Sequence, residues 1–255
     1  MSKLTRRQMI GTGLAAAAAG VSGLAVAAKL AHRYGLVPPD SGGPYGPGAT
    51  LTYAAQRIMT RHTLAREFSR SQISAEPFAY PVDPLGDEFQ RLQNAAFVDW
   101  RLAVDGLVER PGSFSLEELK SYPASTQITM IGCEEGWTYI AEWTGVPLAR
   151  VLEKVGVLPH ARYVVYRSIQ PDCWDSVDMA DALHPQTLLC HGMNGHDLPV
   201  PFGGPLRLRV PRQLGYKNVK YINRVTLTDS VKKIGKGLGS GALGAEDGYA
   251  WYAGI

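Results

Sequence analysis

Cys133 is the residue whose setting most clearly suggests chemistry. It follows an apolar run at 128–132 that predicts a β-strand, and it precedes two acids, a glycine and a tryptophan at 134–137. A strand that ends at a turn would hold the thiol in a fixed position, and a thiolate is a soft metal ligand. A buried, inert cysteine is the common alternative in a β-rich domain. Cys133 is therefore the first candidate for a reactive centre.

The other cysteines and the histidines give weaker candidates. Cys133, Cys173 and Cys190 form an odd set, so one thiol stays unpaired even if the other two form a disulfide, which their spacing does not require. Three histidines lie near the last cysteine, at His184, His191 and His196. Their intervals match no usual zinc-ligand pattern, and no histidine stands in a recognisable partner motif for a Cys-His hydrolase.

A stretch without acids runs from residue 198 to residue 228. It carries six basic side chains, Arg207, Arg209, Arg212, Lys217, Lys220 and Arg224. Arginine side chains and the backbone N–H groups of a glycine-rich turn suit phosphate oxygens, which predicts an anion pocket. A solvated basic strand at the edge of a sheet is the alternative, because charge there protects against aggregation. The residues alone leave both interpretations open.

The elements that must position these residues are mostly short strands. Strands are predicted at 100–104, 128–133, 163–166, 206–210 and 221–227, and in a hairpin of 187–193 with 198–200. Ser115 and Glu118 have the capping-box spacing of a helix start, and a second helix is predicted to start at Pro147 and end at Gly156. Many strands with few helices predict an α+β domain built on mixed or antiparallel sheet.

The first 28 residues are typical of a targeting segment. Lys3, Arg6 and Arg7 precede an uncharged run rich in alanine and glycine, and the paired arginines match a twin-arginine export signal. An ordinary signal peptide and an uncleaved membrane anchor are the alternatives. We therefore expect export by the twin-arginine machinery to the periplasm, with membrane anchoring if the signal is not cleaved.

The rest of the chain divides into three predicted parts. Residues 29–76 are predicted to be a linker with a possible helix at 53–68, residues 77–230 the catalytic domain, and residues 231–255 a glycine-rich tail. Without residues 1–28 the chain carries 23 basic and 23 acidic side chains, so its charge does not indicate nucleic acid as a partner.

A series of ordered motifs resembles the molybdopterin domain of the sulfite oxidase family. The motifs are Gly-Cys-Glu-Glu-Gly-Trp at 132–137, Trp-Thr-Gly-Val-Pro-Leu at 143–148, Met-Asn-Gly at 193–195, Gly-Pro-Leu-Arg-Leu-Arg-Val at 204–210 and Gly-Tyr-Lys-Asn-Val-Lys-Tyr-Ile at 215–222. Their order and spacing are similar to the family over about residues 97–229. The closing segment at 246–255 resembles an exported bacterial branch related to the periplasmic methionine sulfoxide reductase catalytic subunit.

The resemblance implies a sulfite-oxidase-type fold with a barrel-like mixed sheet and few short helices. It also implies a mononuclear molybdenum held by one pyranopterin and by one protein thiolate, which by motif is Cys133. The positions that match the family's contacts to the pterin and its phosphate are Arg207, Asn218, Val219 and Lys220, and Ser168 stands at a further such position where relatives often place Thr.

Two positions depart from the family pattern. Phe202 stands where relatives usually place His or Asn against the cofactor, and Trp174 stands where sulfite-oxidising relatives have an active-site Tyr. Loss of the phenol favours an oxygen-atom transfer other than sulfite oxidation, with S-oxide reduction the nearest precedent. A sulfite-oxidising enzyme and a non-enzymatic binding module of the same fold are the alternatives.

The sequence also bears on the redox partner. No Cys-x-x-Cys-His haem-attachment motif occurs, and we expect no haem domain in this chain. Electrons would then be exchanged with a separate b-type or c-type cytochrome.

Overall fold

The computed structural model describes residues 29, 31, 35–43, 46–81, 85–241 and 249–254. The predicted export signal at 1–28 lies outside these residues. None of the helices within the described ranges has the length and hydropathy needed to span a membrane.

The described residues form two sheets, of which the first has five strands in the order β2-β1-β10-β5-β6. They are β1 Arg101–Gly106, β2 Gly112–Ser115, β5 Tyr163–Ser168, β6 Trp174–Asp178 and β10 Ile222–Thr228. Strand β10 pairs with β1 in parallel, whereas the other pairs are antiparallel. This sheet is therefore mixed, as the sequence predicts.

The second sheet has the order β3-β4-β7-β8, with β9 also paired to β7. Its strands are β3 Ser125–Gly132, β4 Thr138–Pro147, β7 Leu188–Met193, β8 His196–Asp197 and β9 Arg207–Arg209. The main core combines side chains of both sheets, and a second cluster on the β3–β4–β7 sheet contains Tyr139 and Trp143. The two clusters cover opposite faces of this sheet, so the arginine side chains of β9 are buried as well.

Five helices that lie wholly within the described ranges pack around the sheets. They are α1 Gly46–Met59, α2 Gly86–Asn94, α3 Leu116–Ser121, α4 Leu148–Val155 and α5 Met179–Ala182. The predicted capping box is present at α3, where Glu118 N–H donates to Ser115 Oγ (3.0 Å) and Ser115 N–H donates to Glu118 Oε2 (2.6 Å). Helix α4 ends at Gly156, whose φ of 71° suits glycine. The predicted α+β class is confirmed.

The predicted hairpin at 187–200 is correct in its turn and wrong in its second strand. Asn194 and Gly195 both have positive φ, as a tight hairpin turn requires. However, β8 contains only His196–Asp197, and Val200–Phe202 forms a 3-10 turn. Prolines at 199 and 201 lack the N–H groups that a longer strand would need.

The segment predicted as a linker is partly folded onto the domain. Its helix spans Gly46–Met59 rather than 53–68, and it buries Tyr53 and Arg57. The Tyr53 hydroxyl donates to Asp178 Oδ2 (2.7 Å), and Arg57 donates to Asp181 Oδ2 (2.6 Å). These buried contacts are tertiary, so local composition did not indicate them.

The predicted C-terminal tail is likewise docked where it is described. Trp251 and Tyr252 are buried, and both rings pack edge-on against Tyr53. Helix α1 and residues 249–254 therefore form one packed unit on the side of the domain.

Candidate active site

Cys133 lies in a tight turn directly after β3. Its N–H donates to the Trp137 carbonyl (3.0 Å), and its own carbonyl accepts from Gly136 N–H (3.1 Å). Gly136 has φ +92°, a conformation that favours glycine. The thiol is half-buried, and burial raises its pKa. The predicted position of Cys133, at the end of a strand and open to one side, matches the structure.

Aromatic side chains form a wall beside this turn. The Trp137 ring stacks on Tyr139 (centroids 6.1 Å apart, 14° between planes) and on Tyr80 (6.0 Å, 28°). Glu135 accepts from Trp137 Nε1 (3.0 Å) and from the Tyr80 hydroxyl (3.3 Å). Its carboxylate lies 4.0 Å from Cys133 Sγ. The wall therefore fixes a carboxylate next to the thiol.

The opposite side of the turn contacts residues 215–216 and 249. A Cβ at Gly215 would lie 3.5 Å from the Cβ of Cys133, so the two backbones approach closely. Tyr249 packs edge-on against Tyr216 (4.9 Å, 88°), and its hydroxyl donates to the exposed Glu134. Burial and the negative charge of Glu134 raise the pKa of Tyr249 to about 12. We call Cys133, Glu134, Glu135 and Tyr249 the site mouth.

Arg207 and Arg209 on β9 are buried above the Trp143 ring. Each guanidinium lies 5.3 Å from the ring centroid. Arg207 donates to the carbonyls of Phe202 (2.8 Å) and Asn218 (2.7 Å). Arg209 donates to Asn218 Oδ1 (2.7 Å), and burial, followed by the charge of Arg207, lowers the Arg209 pKa to about 9. The burial of both side chains excludes a solvated edge strand.

Lys220 lies beside Arg207. A Cβ at Gly203 would lie 3.0 Å from Lys220 Cβ and 3.1 Å from Arg207 Cβ. Both side chains therefore start close to this glycine. Lys220 Nζ donates to the carbonyls of Tyr80 and Pro201, both at 2.7 Å. Burial, followed by the charge of Arg207, lowers the pKa of Lys220 to about 7.

These three cations share an unusual lack of counter-charge. Within the described ranges, no carboxylate forms an ion pair with Arg207, Arg209 or Lys220, which we call the pocket cations. The Nε atoms of both arginines are buried without a hydrogen-bond partner among those residues. Buried charge without a partner is costly, which indicates a site for an anion.

Three other predicted site residues contact or adjoin the pocket cations. Asn218 uses its side chain to hold Arg209 and the Val210 N–H (2.7 Å), and the buried Val219 accepts from Leu208 N–H (3.0 Å) through its carbonyl. Phe202 packs edge-on against Tyr139 (5.9 Å). Asn218 and Val219 therefore shape the pocket, whereas Phe202 contributes its ring to the wall and its carbonyl to Arg207.

The remaining two lie on the β5–β6 hairpin of the other sheet. Ser168 Oγ accepts from Gln170 N–H (3.0 Å), which closes the hairpin turn. Trp174 pairs across the strands with Arg167, whose guanidinium lies 5.5 Å from the indole. In the described structure no hydrogen bond or ring contact joins Trp174 to the Cys133 turn. Their assignment to the site stays a prediction.

The other thiols show no metal site. All three cysteines are free, and Cys190 is fully buried with its thiol directed at the carbonyls of Thr144 (3.3 Å) and Gly192 (3.2 Å). Burial raises the pKa of Cys190 to about 11. No group of three His, Cys, Asp or Glu side chains suited to a metal ion occurs in the described ranges.

Sequence reasoning missed four residues of this site. Tyr80, Glu135 and Tyr249 were not singled out, and Arg209 was not separated from the other basic residues. The alternation Arg-Leu-Arg at 207–209 carried a signal for Arg209, since both arginines must lie on the same face of a strand. Tyr80 and Tyr249 reach the site from distant parts of the chain, and the resemblance at 246–255 does not by itself place Tyr249 beside Cys133.

Comparisons with known proteins agree with this geometry. Residues 90–234 match the family model described as the oxidoreductase molybdopterin binding domain. The chain is 38% identical over 191 residues to the putative protein-methionine-sulfoxide reductase subunit YedZ1 of Azospira oryzae, covering 75% of this chain and 68% of that protein. It is 37% identical over 147 residues to the protein-methionine-sulfoxide reductase catalytic subunit MsrP of Xanthomonas campestris, covering 52% and 46% respectively.

A solved structure gives the same architecture. The sulfane dehydrogenase SoxCD of Paracoccus pantotrophus superimposes with a TM-score of 0.50 at 27% identity, over 52% of this chain and 39% of that one. The chain thus spans less than half of the Xanthomonas relative and of the SoxCD chain.

The residues present fit a molybdenum–pterin cofactor. Cys133 offers a soft thiolate in an accessible turn, and Arg207 and Lys220 offer two cations without carboxylate partners for a phosphate. The buried Nε atoms of the arginines provide further donors for an anionic or polar ligand. The metal and the phosphate of the cofactor therefore each have a chemically suited residue.

Proposed function

Because the chain belongs to the molybdopterin-binding oxidoreductase family, we propose that it reduces S-oxides, with a protein-bound methionine sulfoxide as the substrate class. It is an oxidoreductase whose cofactor is a mononuclear molybdenum–pterin. The relatives named as methionine-sulfoxide reductase subunits support the choice of substrate. The observation that carries the site assignment is that the half-exposed Cys133 ends a strand whose Met130 carbonyl accepts from the buried Arg209, a cation without a carboxylate partner among the described residues.

The proposed reaction takes an S-oxide, two electrons and two protons to a thioether and water. When bound, the cofactor supplies the oxygen-atom transfer and stores the electrons. We assign Cys133 as the metal ligand, and Arg207 with Lys220 as the partners of the cofactor phosphate. Trp143 supports both arginines from below, which holds their donors in place.

The charge of the site mouth favours a neutral substrate. Glu134 and Glu135, the two residues after Cys133, are both exposed, and the Glu135 carboxylate lies 4.0 Å from the Cys133 thiol. Sulfite is an anion at neutral pH and would be repelled by these carboxylates, whereas an S-oxide carries no net charge. Exposed rings of Phe78 and Tyr80 beside the turn offer apolar surface to a peptide that carries the oxidised side chain.

The electron donor is proposed to be a separate protein. A relative's name designates it a catalytic subunit, which implies a second subunit for that enzyme. We propose a b-type or c-type cytochrome in this role here.

A direct assay tests the proposed function. Purified, molybdenum-loaded protein should reduce a methionine-sulfoxide peptide with a chemically reduced dye as electron donor, and should oxidise sulfite far more slowly. Efficient sulfite oxidation without S-oxide reduction would contradict the proposal. Stoichiometric molybdenum without either activity would favour a binding module.

Export is proposed from the sequence alone. Arg6 and Arg7 precede a weakly apolar run, so replacing both by lysine keeps the charge but removes the twin-arginine motif. Cell fractionation should then show folded, cofactor-loaded protein retained in the cytoplasm. Unchanged export of this double variant would rule out the twin-arginine route.

A further inference from the structure

The last described segment, residues 249–254, is firmly docked beside the Cys133 turn. Leu214 N–H donates to the Ala253 carbonyl (2.9 Å), and the Trp251 N–H donates to the Asp40 carboxylate (2.8 Å). The Trp251 indole also donates to Ser176 Oγ (2.9 Å). Tyr249, at the start of this segment, is therefore held in a defined place although it remains partly exposed.

Two routes of contact connect Tyr249 to Cys133. Its hydroxyl donates to Glu134, the residue that follows the cysteine. Its ring packs on Tyr216, which adjoins Gly215, and the backbone at Gly215 approaches the Cys133 side chain closely. The Tyr216 hydroxyl donates in turn to the Ala250 carbonyl (2.6 Å), which closes the contact on both sides.

Two phenol hydroxyls at the turn can donate a hydrogen bond: that of Tyr249, which is bonded to Glu134, and that of Tyr80, which is bonded to Glu135 (3.3 Å) on the aromatic wall. Ionised carboxylates such as Glu134 and Glu135 have no proton to donate. The Trp137 indole N–H is already used by Glu135 (3.0 Å). An S-oxide oxygen is an acceptor and needs a donor. Since Glu134 is exposed, water can replace Tyr249 as its partner when the hydroxyl turns toward a ligand.

We propose that Tyr249 determines specificity for the S-oxide: its hydroxyl turns from Glu134 and donates a hydrogen bond to the S–O oxygen of a substrate bound beside Cys133. This inference rests on the proposed S-oxide reduction and assigns the group that recognises the oxygen. It gives the docked C-terminal segment a role in the site, although it lies outside the stretch that matches the family model.

The test compares binding of oxidised and unoxidised peptide to the molybdenum-loaded enzyme. The probes are one short peptide with methionine sulfone, which keeps S–O oxygens, and the same peptide with ordinary methionine. Tyr249→Phe removes only the hydroxyl, so we expect about three- to tenfold weaker binding of the sulfone peptide by calorimetry. Binding of the methionine peptide should not change, because it has no oxygen to accept the bond.

Kinetics and a matched control complete the experiment. The KM for the methionine-sulfoxide peptide should rise by a similar factor in Tyr249→Phe, with a smaller change in kcat. Tyr122→Phe, at a tyrosine outside the site, should match the wild type in every measurement. Equal weakening of both peptides would indicate a merely structural role, and unchanged sulfone binding would overturn the inference. A loaded wild type that reduces no S-oxide would overturn the proposed function itself.

Discussion

Buried cations occur in two regions of this molecule, and their partners differ. Near α1, three basic side chains, which we call the paired cations, each meet a buried carboxylate: Arg57 with Asp178 and Asp181, Arg212 with Asp181, and Lys217 with Asp175. The pocket cations Arg207, Arg209 and Lys220 donate to carbonyl, amide and hydroxyl groups instead.

The presence or absence of a carboxylate partner distinguishes cations that stabilise the fold from cations that we assign to the cofactor site. A buried ion pair whose partners lie in the same chain has its charge balanced by the fold. The pocket cations gain hydrogen bonds but no opposite charge, so the protein carries the cost of their burial until an anion binds. Lys217 and Lys220 are three residues apart, yet the first belongs to the fold and the second to the site.

The largest expected effect distinguishes the Cys133 thiol from the other two thiols of the molecule. Cys133→Ala should abolish oxygen-atom transfer but retain part of the pterin, because the pocket cations still hold the phosphate. Cys133→Ser should be nearly as damaging, since an alkoxide is a harder ligand than a thiolate. Activity and molybdenum content are measured on the same samples. Cys173→Ala and Cys190→Ala are the controls and should keep turnover, and wild-type activity in Cys133→Ala would defeat the assignment.

Removing the carboxylate partner of the paired cations should lower the free energy of unfolding. Asp181→Ala leaves Arg57 and Arg212 buried without their shared carboxylate, so we expect the free energy of unfolding to fall by about 3–5 kcal/mol. Urea unfolding of the cofactor-free protein measures this loss. Asp105→Ala removes a more exposed ion pair with Arg224 and should cost less than about 1 kcal/mol. A similar small loss in Asp181→Ala would remove the contrast between the two regions.

Replacing a pocket cation should weaken cofactor retention rather than lower the stability of the fold. Arg207→Ala and Lys220→Ala each remove a charge-assisted bond, which weakens retention of the pterin by about 1.5–3 kcal/mol. The cofactor-free fold should lose less stability than in Asp181→Ala. Pterin and molybdenum content after dialysis measure retention, and Arg224→Ala provides a control from the same acid-free stretch. Full occupancy in both pocket variants would mean that these cations do not bind the cofactor.

The smallest expected effect is a pH dependence that involves Lys220. Its pKa is lowered to about 7 in the folded protein and returns to about 10.4 on unfolding. Between these values the unfolded chain binds the proton and the folded protein does not, so raising the pH favours folding. Urea midpoints of cofactor-free protein at pH 7 and pH 9 should show this rise in the wild type and a smaller one in Lys220→Met. Identical pH dependence in both would contradict a lowered pKa for this half-buried amine, which has no carboxylate partner among the described residues.

Short sequence patterns predict the helices and strands that depend on contacts between neighbouring residues. The capping box at Ser115, the helix from Pro147 to Gly156 and the strand that ends before Cys133 all follow from neighbouring residues. The site could not be predicted in this way, because distant chain segments decide whether a basic residue forms an ion pair with an acid. Arg212 and Lys217 could not be separated from Arg207 and Lys220 without knowing where Asp181 and Asp175 lie.

Dependence on distant contacts also explains why the docking of helix α1 and of residues 249–254 was not predicted. Helix α1 docks through Tyr53 and Arg57 onto carboxylates more than a hundred residues away. Tyr249 reaches the site mouth only because Trp251 and Tyr252 anchor its segment against that helix. The neighbouring sequence predicts a linker at 29–76 and a tail at 231–255, and the resemblance at 246–255 does not indicate that Tyr249 contacts the Cys133 turn.

X-ray absorption at the molybdenum edge tests the central claim most directly, namely that Cys133 and the pocket cations together hold the cofactor. In the purified wild type we expect sulfur scattering from the two cofactor sulfurs and from one protein thiolate. In Cys133→Ser the thiolate contribution should disappear while the cofactor sulfurs remain, since the pocket cations still bind the phosphate. Identical sulfur scattering in the wild type and in Cys133→Ser would contradict the account.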